Sequence, residues 1–132
     1  MLHWWRSRGT KKRVLVDLDG VLHRHYRYTG NTPTGKPTEG CKDALQALKD
    51  AGYEVLVFTA RPCRPTRKWL RQNGFTGLYK RVTNVKWPAI AIFDDRAITI
   101  RRNNGKDFQE KVADWINLER LRHPEEPRSK NA

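Results

Sequence analysis

Short apolar runs alternate along the chain with segments in which apolar residues recur every three or four positions. Apolar runs bounded by turn residues indicate buried strands, whereas the spacing of three to four residues indicates helices. The runs predict strands at residues 14–16, 53–58, 78–82 and 89–93. One more element, either a strand or the start of a helix, is predicted at residues 97–100.

The helical segments lie between and after these strands. One helix is predicted over residues 39–51 with Thr38 as its cap, a second over 65–73 and a third over 107–121. The third helix carries an apolar stripe that we expect to lie in the core. This stripe consists of Phe108, Val112, Trp115 and Ile116. Alternating strands and helices predict an α/β fold, a three-layer sandwich with a central, mostly parallel sheet of about five strands.

One domain is predicted over residues 13–122, between a basic lead at residues 1–12 and a disordered tail at residues 123–132. In the lead, Trp4 and Trp5 either stack on bases or cover part of a core. Residues 23–38 contain Gly, Pro, Asn and Thr without periodicity, which predicts a long loop. Loops of this length are often functional, so we expect this one to line a binding cleft. A metal site at His23 and His25, and a plain exposed loop, are the alternatives that stay open.

The charge balance narrows the choice of partners. The 132 residues include 27 Lys and Arg against 14 Asp and Glu, a formal charge of +13, which favours anionic partners such as phosphates, nucleotides or nucleic acid. Two cysteines cannot form a disulfide framework or a four-ligand zinc site by themselves. The sequence lacks a signal-peptide pattern and an apolar run long enough to span a membrane. We therefore expect a soluble cytoplasmic protein.

Polar residues directly follow three of the predicted strands. Asp17 follows the first strand, Thr59 follows the second, and Asp94 and Asp95 follow the strand at residues 89–93. Ligands of open α/β sheets bind at the edge where the carboxyl ends of the strands meet. These side chains are therefore predicted to converge in one cleft.

The carboxylates predict a metal ion in that cleft. Asp17 and Asp19 face the same side if the chain stays extended, and Gly20 lets the backbone turn away from the site. Neighbouring carboxylates repel one another, and a divalent cation removes the repulsion. Oxygen ligands from these residues and from Asp94 and Asp95 suit magnesium.

The ordered set of motifs resembles the haloacid dehalogenase-like phosphatases. Residues 17–22, Asp-Leu-Asp-Gly-Val-Leu, resemble the first motif of that family, and Thr59 after an apolar strand resembles the second. Lys86 is similar to the third motif, with Lys80 as the alternative, and residues 94–96, Asp-Asp-Arg, are similar to the fourth. The resemblance covers about residues 13–100. It implies the Rossmann-like fold of that family, with at most a minimal cap domain, because little chain separates the motifs.

This resemblance implies a phosphomonoester hydrolase that works through a phosphoaspartate. Asp17 would be the nucleophile, and Asp19 would protonate the leaving group and then activate water. Thr59 and Lys86 would hold the phosphoryl oxygens. Each of these roles depends on the family resemblance.

The resemblance also implies the ligands of the metal and of the substrate. Magnesium would be held by Asp17, by the backbone carbonyl of Asp19, and by one or both of Asp94 and Asp95. Three residues are assigned to substrate binding: Gly20, Ala60 and Arg61.

The substrate class is predicted from charge and from a second similarity. Residues 59–69 and 94–96 are similar to the corresponding stretches of polynucleotide kinase 3′-phosphatase domains. Together with the positive charge, they favour a nucleotide or a nucleic-acid terminal phosphate. Two alternatives stay open: a phosphatase of small sugar phosphates, and a nucleic-acid-binding protein that has the fold without activity.

Receiver domains are a further class, because they also place carboxylates, a Thr and a Lys at strand ends. In a receiver the acidic pair comes early and the Lys comes last. Here the Asp-x-Asp pattern comes first, and Asp94 and Asp95 follow Lys86. This order favours the phosphatase.

The sequence leaves the oligomeric state open and predicts no membrane partner.

Overall fold

The computed structural model describes residues 12–25, 27 and 30–124. The predicted basic lead before residue 12, with its two tryptophans, and the predicted tail after residue 124 lie outside the described residues. The chain divides into two compact units, with the boundary between Asp95 and Arg96.

The secondary structure follows the predicted alternation of strands and helices. In chain order, the first unit contains β1 (Arg13–Asp17), α1 (Cys41–Asp50), β2 (Glu54–Phe58), α2 (Cys63–Gln72), β3 (Arg81–Thr83) and β4 (Ala91–Phe93). The second unit contains α3 (Gly105–Arg122). Within the described ranges, no helix is both long enough and apolar enough to cross a membrane.

The sheet is parallel throughout, as predicted. Its strand order is β3-β2-β1-β4, so the described residues form four strands where about five were expected. Val14 of β1 is in register with Val55 of β2 on one side and with Ala91 of β4 on the other. The order matches the first four strands of the doubly wound 3-2-1-4 arrangement. It differs from the order of receiver domains, in which the first strand lies between the second and the third.

One face of the sheet carries the main core. Valines at alternate strand positions form a buried cluster with residues of both α1 and α2, because alternate side chains of a strand point to the same face. The cluster includes Val14, Val16, Val55, Val57, Cys41, Leu45, Trp69 and Leu70. Leu15 and Leu56, at the intervening positions, are also buried, so both faces of the central strands are covered.

Trp87 lies on the second face, within the short connection from β3 to β4. The guanidinium groups of Arg13 and Arg81 each lie 5.0 Å from the centroid of its ring. The indole nitrogen donates a hydrogen bond to the Thr83 hydroxyl at 3.1 Å. Cation–π contacts of this kind fix the position of an aromatic ring. They hold the connection that contains the predicted Lys86 motif.

The start of α1 differs from the prediction. The helix begins at Cys41 after Gly40, whose φ of 81° is left-handed, and no side chain caps it. The Thr38 hydroxyl instead donates to the carbonyl of Val21 at 2.5 Å. The prediction of a Thr38 cap is therefore wrong, because a tertiary hydrogen bond competes for the hydroxyl.

The second unit corrects two further predictions. Residues 97–100 form neither a strand nor a helix. The side chain of Asn104 caps α3 by accepting a hydrogen bond from the backbone N–H of Asp107 at 2.8 Å. The predicted apolar stripe on α3 is 38–57 % exposed, so its assignment to the core is wrong. Periodicity locates the apolar face of a helix but does not show what covers that face.

Candidate functional site

The candidate site lies at the carboxyl ends of two neighbouring strands. Asp17 is the last residue of β1, and Asp94 and Asp95 directly follow β4. The chain continues from β1 to β2 on one side, whereas β4 pairs with β1 on the other side. Ligands of open α/β sheets bind at such a point, where the strand order changes direction.

Three carboxylates gather at this point. Oxygen atoms of Asp17, Asp94 and Asp95 all lie within 4.8 Å of one another. Burial raises the pKa of Asp17 to about 7, and the negative charge of Asp94 and a hydrogen bond with Asp95 add to the shift. Folding thus brings together carboxylates that repel one another. We call these three residues the acidic cluster.

Gly20 lets the acidic cluster come together. Its φ is +85°, which favours glycine, and a Cβ placed there would lie 2.1 Å from the Asp95 Oδ2 atom. Its N–H donates to the carbonyl of His23 at 2.9 Å, which closes the turn after β1. Gly20, predicted to bind substrate, is therefore placed directly against a carboxylate of the cluster.

The carboxylate of Asp19 lies in different surroundings. Arg61 Nε donates to its two oxygens at 3.1 and 2.8 Å, and His23 Nδ1 lies 2.8 Å from its Oδ1 atom. Burial by itself would raise the pKa of Asp19, but hydrogen bonds from Arg61 and His23 outweigh it and lower the pKa below its usual value. The side chains of Arg61 and His23 are only 2 % and 3 % exposed. We call Asp19, Arg61 and His23 the Asp19 clamp.

The hydrogen bonds of His23 assign its tautomer. The backbone N–H of Gly35 donates to His23 Nε2 at 2.8 Å, so Nε2 accepts and carries no proton. The proton of the neutral ring therefore lies on Nδ1 and is donated to Asp19. Asp19, His23 and His25 lie close enough to hold a metal ion. Because both His23 nitrogens are engaged in hydrogen bonds, we interpret His23 as a hydrogen-bond partner of Asp19 and not as a metal ligand.

The residues after β2 are held by a side chain from the end of β3. Asn84 Nδ2 donates to the carbonyl oxygens of Thr59 and Arg61 at 2.6 and 2.7 Å. The Thr59 hydroxyl is buried and accepts a hydrogen bond from the N–H of Arg61 at 3.0 Å. Ala60, between them, is exposed. Thr59 therefore follows its strand as predicted, and its hydroxyl shapes the turn that points Arg61 at Asp19.

Lys86 has a different environment from the other predicted residues. It is exposed and makes no hydrogen bond or ion pair with any residue that the structure describes. It is the residue before Trp87, which is anchored on the second face of the sheet. A role for Lys86 at the phosphoryl group stays a prediction from the resemblance.

No protein-family model, curated protein or solved structure matches this chain. Its function has to be inferred from the chemistry of its own residues.

The acidic cluster is suited to a hard divalent cation. All its donors are carboxylate oxygens, and the missing side chain at Gly20 leaves room for the Asp95 carboxylate. A cation there would favour the ionised form of Asp17, whose pKa burial and its neighbours raise to about 7. The Asp19 carboxylate, also predicted at the metal, is turned toward Arg61 and His23.

Sequence patterns do not identify the residues that support the clamp. They assign no role to Gly35 or Asn84, and Trp69 lies only within the segment that is similar to polynucleotide kinase 3′-phosphatase domains. Trp69 donates from its indole nitrogen to the Gly35 carbonyl at 2.9 Å and meets the His23 ring edge-on at 5.1 Å. The one local signal was the spacing of Asp19 and His23, four residues apart after a strand. Their contact depends on the turn at Gly20.

Proposed function

We propose that this protein is a magnesium-dependent phosphomonoester hydrolase that works through a phosphoaspartate on Asp17. The observation that carries the proposal is that two carboxylates at one edge of the sheet, those of Asp17 and Asp19, lie in opposite electrostatic surroundings. Asp17 lies among carboxylates whose mutual repulsion a cation would relieve, whereas Asp19 is held by hydrogen-bond donors. One carboxylate is thus suited to attack beside a metal ion, and the other, held next to it in its ionised form by hydrogen-bond donors, is suited to accept a proton.

Asp17, Asp94 and Asp95 would hold the magnesium ion. When bound, magnesium neutralises the clustered carboxylates and the negative charge that develops on the phosphoryl oxygens. The finer features of the proposal, the haloacid dehalogenase-like fold and the roles of Thr59 and Lys86, are supported by motif order. The strand order β3-β2-β1-β4 supports it as well, because it separates this chain from receiver domains.

The reaction proceeds in two displacements. In the first, an Asp17 oxygen attacks phosphorus, the bond from phosphorus to the leaving oxygen breaks, and Asp19, in the minor protonated form that its lowered pKa leaves, gives its proton to that oxygen. In the second, Asp19 takes a proton from water, whose oxygen attacks phosphorus while the bond to Asp17 breaks. Inorganic phosphate leaves, and both carboxylates return to their starting states.

The substrate class that we propose is a nucleotide or a nucleic-acid terminal phosphate. Helix α2 contains no acidic residue and carries four exposed cations, which we call the basic face: Arg64, Arg67, Lys68 and Arg71. None of these four makes an ion pair with a residue in the described ranges. The helix starts four residues after Thr59, so the basic face begins near the site.

The arrangement of the basic face disfavours the helix itself. Cations three and four residues apart repel one another, and Arg64 lies in the first turn, where the helix dipole disfavours positive charge. A polyanion that follows α2 toward the site would relieve both costs and release counterions. Stability of the helix therefore does not explain the pattern, whereas binding of a phosphodiester chain does.

A screen of phosphomonoesters tests the activity. The folded protein is assayed with sugar phosphates, mononucleotides and oligonucleotides with terminal phosphates, in magnesium and in excess chelator. We expect magnesium-dependent release of phosphate that chelator abolishes reversibly. Failure to turn over any class with magnesium present would contradict the enzyme and favour a binding protein.

The substrate class is tested by salt and by a charge-matched pair of variants. For a 3′-phosphorylated oligonucleotide, kcat/KM is expected to fall steeply between about 50 and 200 mM salt, and for a mononucleotide only weakly. The double variant Arg67→Gln/Lys68→Gln should reduce this salt dependence, whereas the control Lys106→Gln/Arg120→Gln in α3 should not. Better turnover of a sugar phosphate with flat salt dependence would favour the small-substrate alternative.

A further inference from the structure

His23, the first residue of the loop at residues 23–38, is buried beside Asp19, the candidate acid/base residue. Its Nδ1–H donates to Asp19 Oδ1, and its Nε2 accepts from the N–H of Gly35. Turning the ring over would place carbon atoms against both partners and leave a buried N–H without an acceptor. The two hydrogen bonds therefore allow one orientation of the ring.

The Nε2 side of the His23 ring, which faces away from Asp19, is also held in place. The Gly35 carbonyl accepts a hydrogen bond from the Trp69 indole, and a Cβ on Gly35 would lie 2.8 Å from His23 Nε2 and 2.5 Å from the Arg24 carbonyl. Glycine is therefore needed here for close approach of the backbone to the ring. Trp69 is a core residue of α2, so the chain of contacts runs from the core to Asp19.

Arg61 holds Asp19 from the other side and is tied to the same loop. Its Nε atom donates to both oxygens of Asp19, and its Nη1 atom donates to the carbonyl of Gly30. His23 and Arg61 thus both connect the Asp19 carboxylate to the loop. Two donors from different directions determine the position and the rotation of this carboxylate.

We propose that His23, supported by Gly35, is a positioning residue that fixes the Asp19 carboxylate in the orientation needed to give a proton to the leaving oxygen. This inference rests on the proposed function, because it assigns Asp19 the transfer of that proton. His23 does not itself exchange a proton with the substrate. Its role is to keep one Asp19 oxygen occupied and the carboxylate plane fixed, so that proton transfer begins from an aligned geometry.

Two substitutions separate the hydrogen bonds of His23. In His23→Asn the amide nitrogen reaches the place of Nδ1, so the donor to Asp19 is kept and the acceptor for Gly35 is lost. In His23→Gln the amide reaches the place of Nε2, so the acceptor for Gly35 is kept and the donor to Asp19 is lost. Both variants remove the ring, so they share its packing cost.

The readout is the dependence of kcat/KM on the leaving group. An aryl phosphate releases a weakly basic oxygen that needs little protonation, whereas an alkyl phosphate depends on the acid. We expect His23→Gln to lower the alkyl-to-aryl ratio of kcat/KM by on the order of tenfold, and His23→Asn to keep a ratio closer to that of the wild type. The control His123→Gln, directly after α3, should leave the ratio unchanged, because the His123 ring pairs with Glu119 at 3.6 Å.

Three outcomes decide the matter. A selective loss in His23→Gln supports the positioning role. Equal ratios in both variants, with only a lower melting temperature, would overturn this inference and leave the proposed function standing. An inactive wild type would overturn the proposed function and this inference together. Long-range ¹H–¹⁵N spectra of the wild type give an independent reading, since a proton on His23 Nε2 would contradict the assigned contacts.

Discussion

Asp17 and Asp19 are separated by one residue, yet their carboxylates lie in opposite electrostatic surroundings. Asp17 lies among two further carboxylates, and its pKa is raised to about 7 by burial and by those neighbours. Asp19 is held by a buried guanidinium and a buried imidazole, and its pKa is lowered although burial opposes the change. The turn at Gly20 and the approach of Asp95 create this difference.

The comparison separates two uses of an acidic residue. The acidic cluster costs folding free energy unless a cation binds, because like charges are brought together. The Asp19 clamp contributes to folding, because Arg61 would otherwise be a buried charge without its carboxylate. An arrangement that opposes folding is typical of a binding site. Neutralising each carboxylate in turn should therefore have opposite effects on stability.

The largest expected effect is on activity. Asp17→Asn should lower kcat by on the order of 10³-fold or more, because an amide cannot replace the attacking carboxylate. The same change should raise the melting temperature of the metal-free protein, because it removes one charge from the acidic cluster. Asp114→Asn, on the exposed surface of α3, is the charge-matched control for both measurements. Normal turnover in a folded Asp17→Asn protein would contradict the mechanism.

The next effect is on stability and has the opposite sign. Asp19→Asn should lower the free energy of unfolding by about 3 kcal/mol, because Arg61 loses its charged partner inside the protein. This is the lower end of the range for buried pairs, because the Asp19 side chain remains 18 % exposed. Urea unfolding of the wild type, Asp19→Asn and the Asp114→Asn control measures the difference. If Asp17→Asn and Asp19→Asn shifted stability in the same direction, the contrast between the two carboxylates would be wrong.

Magnesium should stabilise the folded protein through the acidic cluster alone. At a concentration 100 times its dissociation constant, a ligand of the folded state adds about 2.7 kcal/mol to the free energy of unfolding. Asp94→Asn and Asp95→Asn should each reduce the magnesium-induced rise in melting temperature, whereas Asp114→Asn should not. An equal rise in all of these variants would place the cation elsewhere.

The smallest effect is the dependence of stability on pH. The pKa of Asp17 is 3.8 ordinarily and about 7 in the metal-free folded protein, so between these values the folded state binds more protons than the unfolded state. The free energy of unfolding therefore falls as pH rises from about 4 to 7. The lowered pKa of Asp19 has the reverse effect: its stabilisation is present above the ordinary pKa and is lost as pH falls through the lowered one.

The pH effect is measured as a difference between two proteins. Urea unfolding of the wild type and of Asp17→Asn, both in chelator, is compared at several values between about pH 4 and 7. The advantage of Asp17→Asn should grow with pH across this window, because only the wild type gains a charge in the cluster. A constant difference would mean that Asp17 ionises normally, and one that shrinks with pH would mean that its pKa is lowered.

Local patterns are sufficient to predict the parallel α/β sheet and the strand ends at which Asp17, Thr59, Asp94 and Asp95 lie. Apolar runs, helical spacing and turn residues are signals that each lie within a short stretch of sequence. Only the folded chain showed that the stripe on α3 stays exposed, because periodicity does not identify what a helix packs against. The cap predicted at Thr38 failed for a related reason, since the hydroxyl bonds to Val21 across 17 residues.

In the candidate site, too, some features are predictable from the sequence and others depend on the folded chain. The identities of the carboxylates were readable, but their surroundings were not, because a pKa depends on groups brought together from distant parts of the chain. Arg61 reaches Asp19 across 42 residues, and Gly35 reaches the His23 ring across 12. No local pattern encodes these contacts. Tertiary structure therefore decided that Asp17 lies among like charges and that Asp19 is clamped by donors, because each contact forms only when loop, turn and helix are folded together.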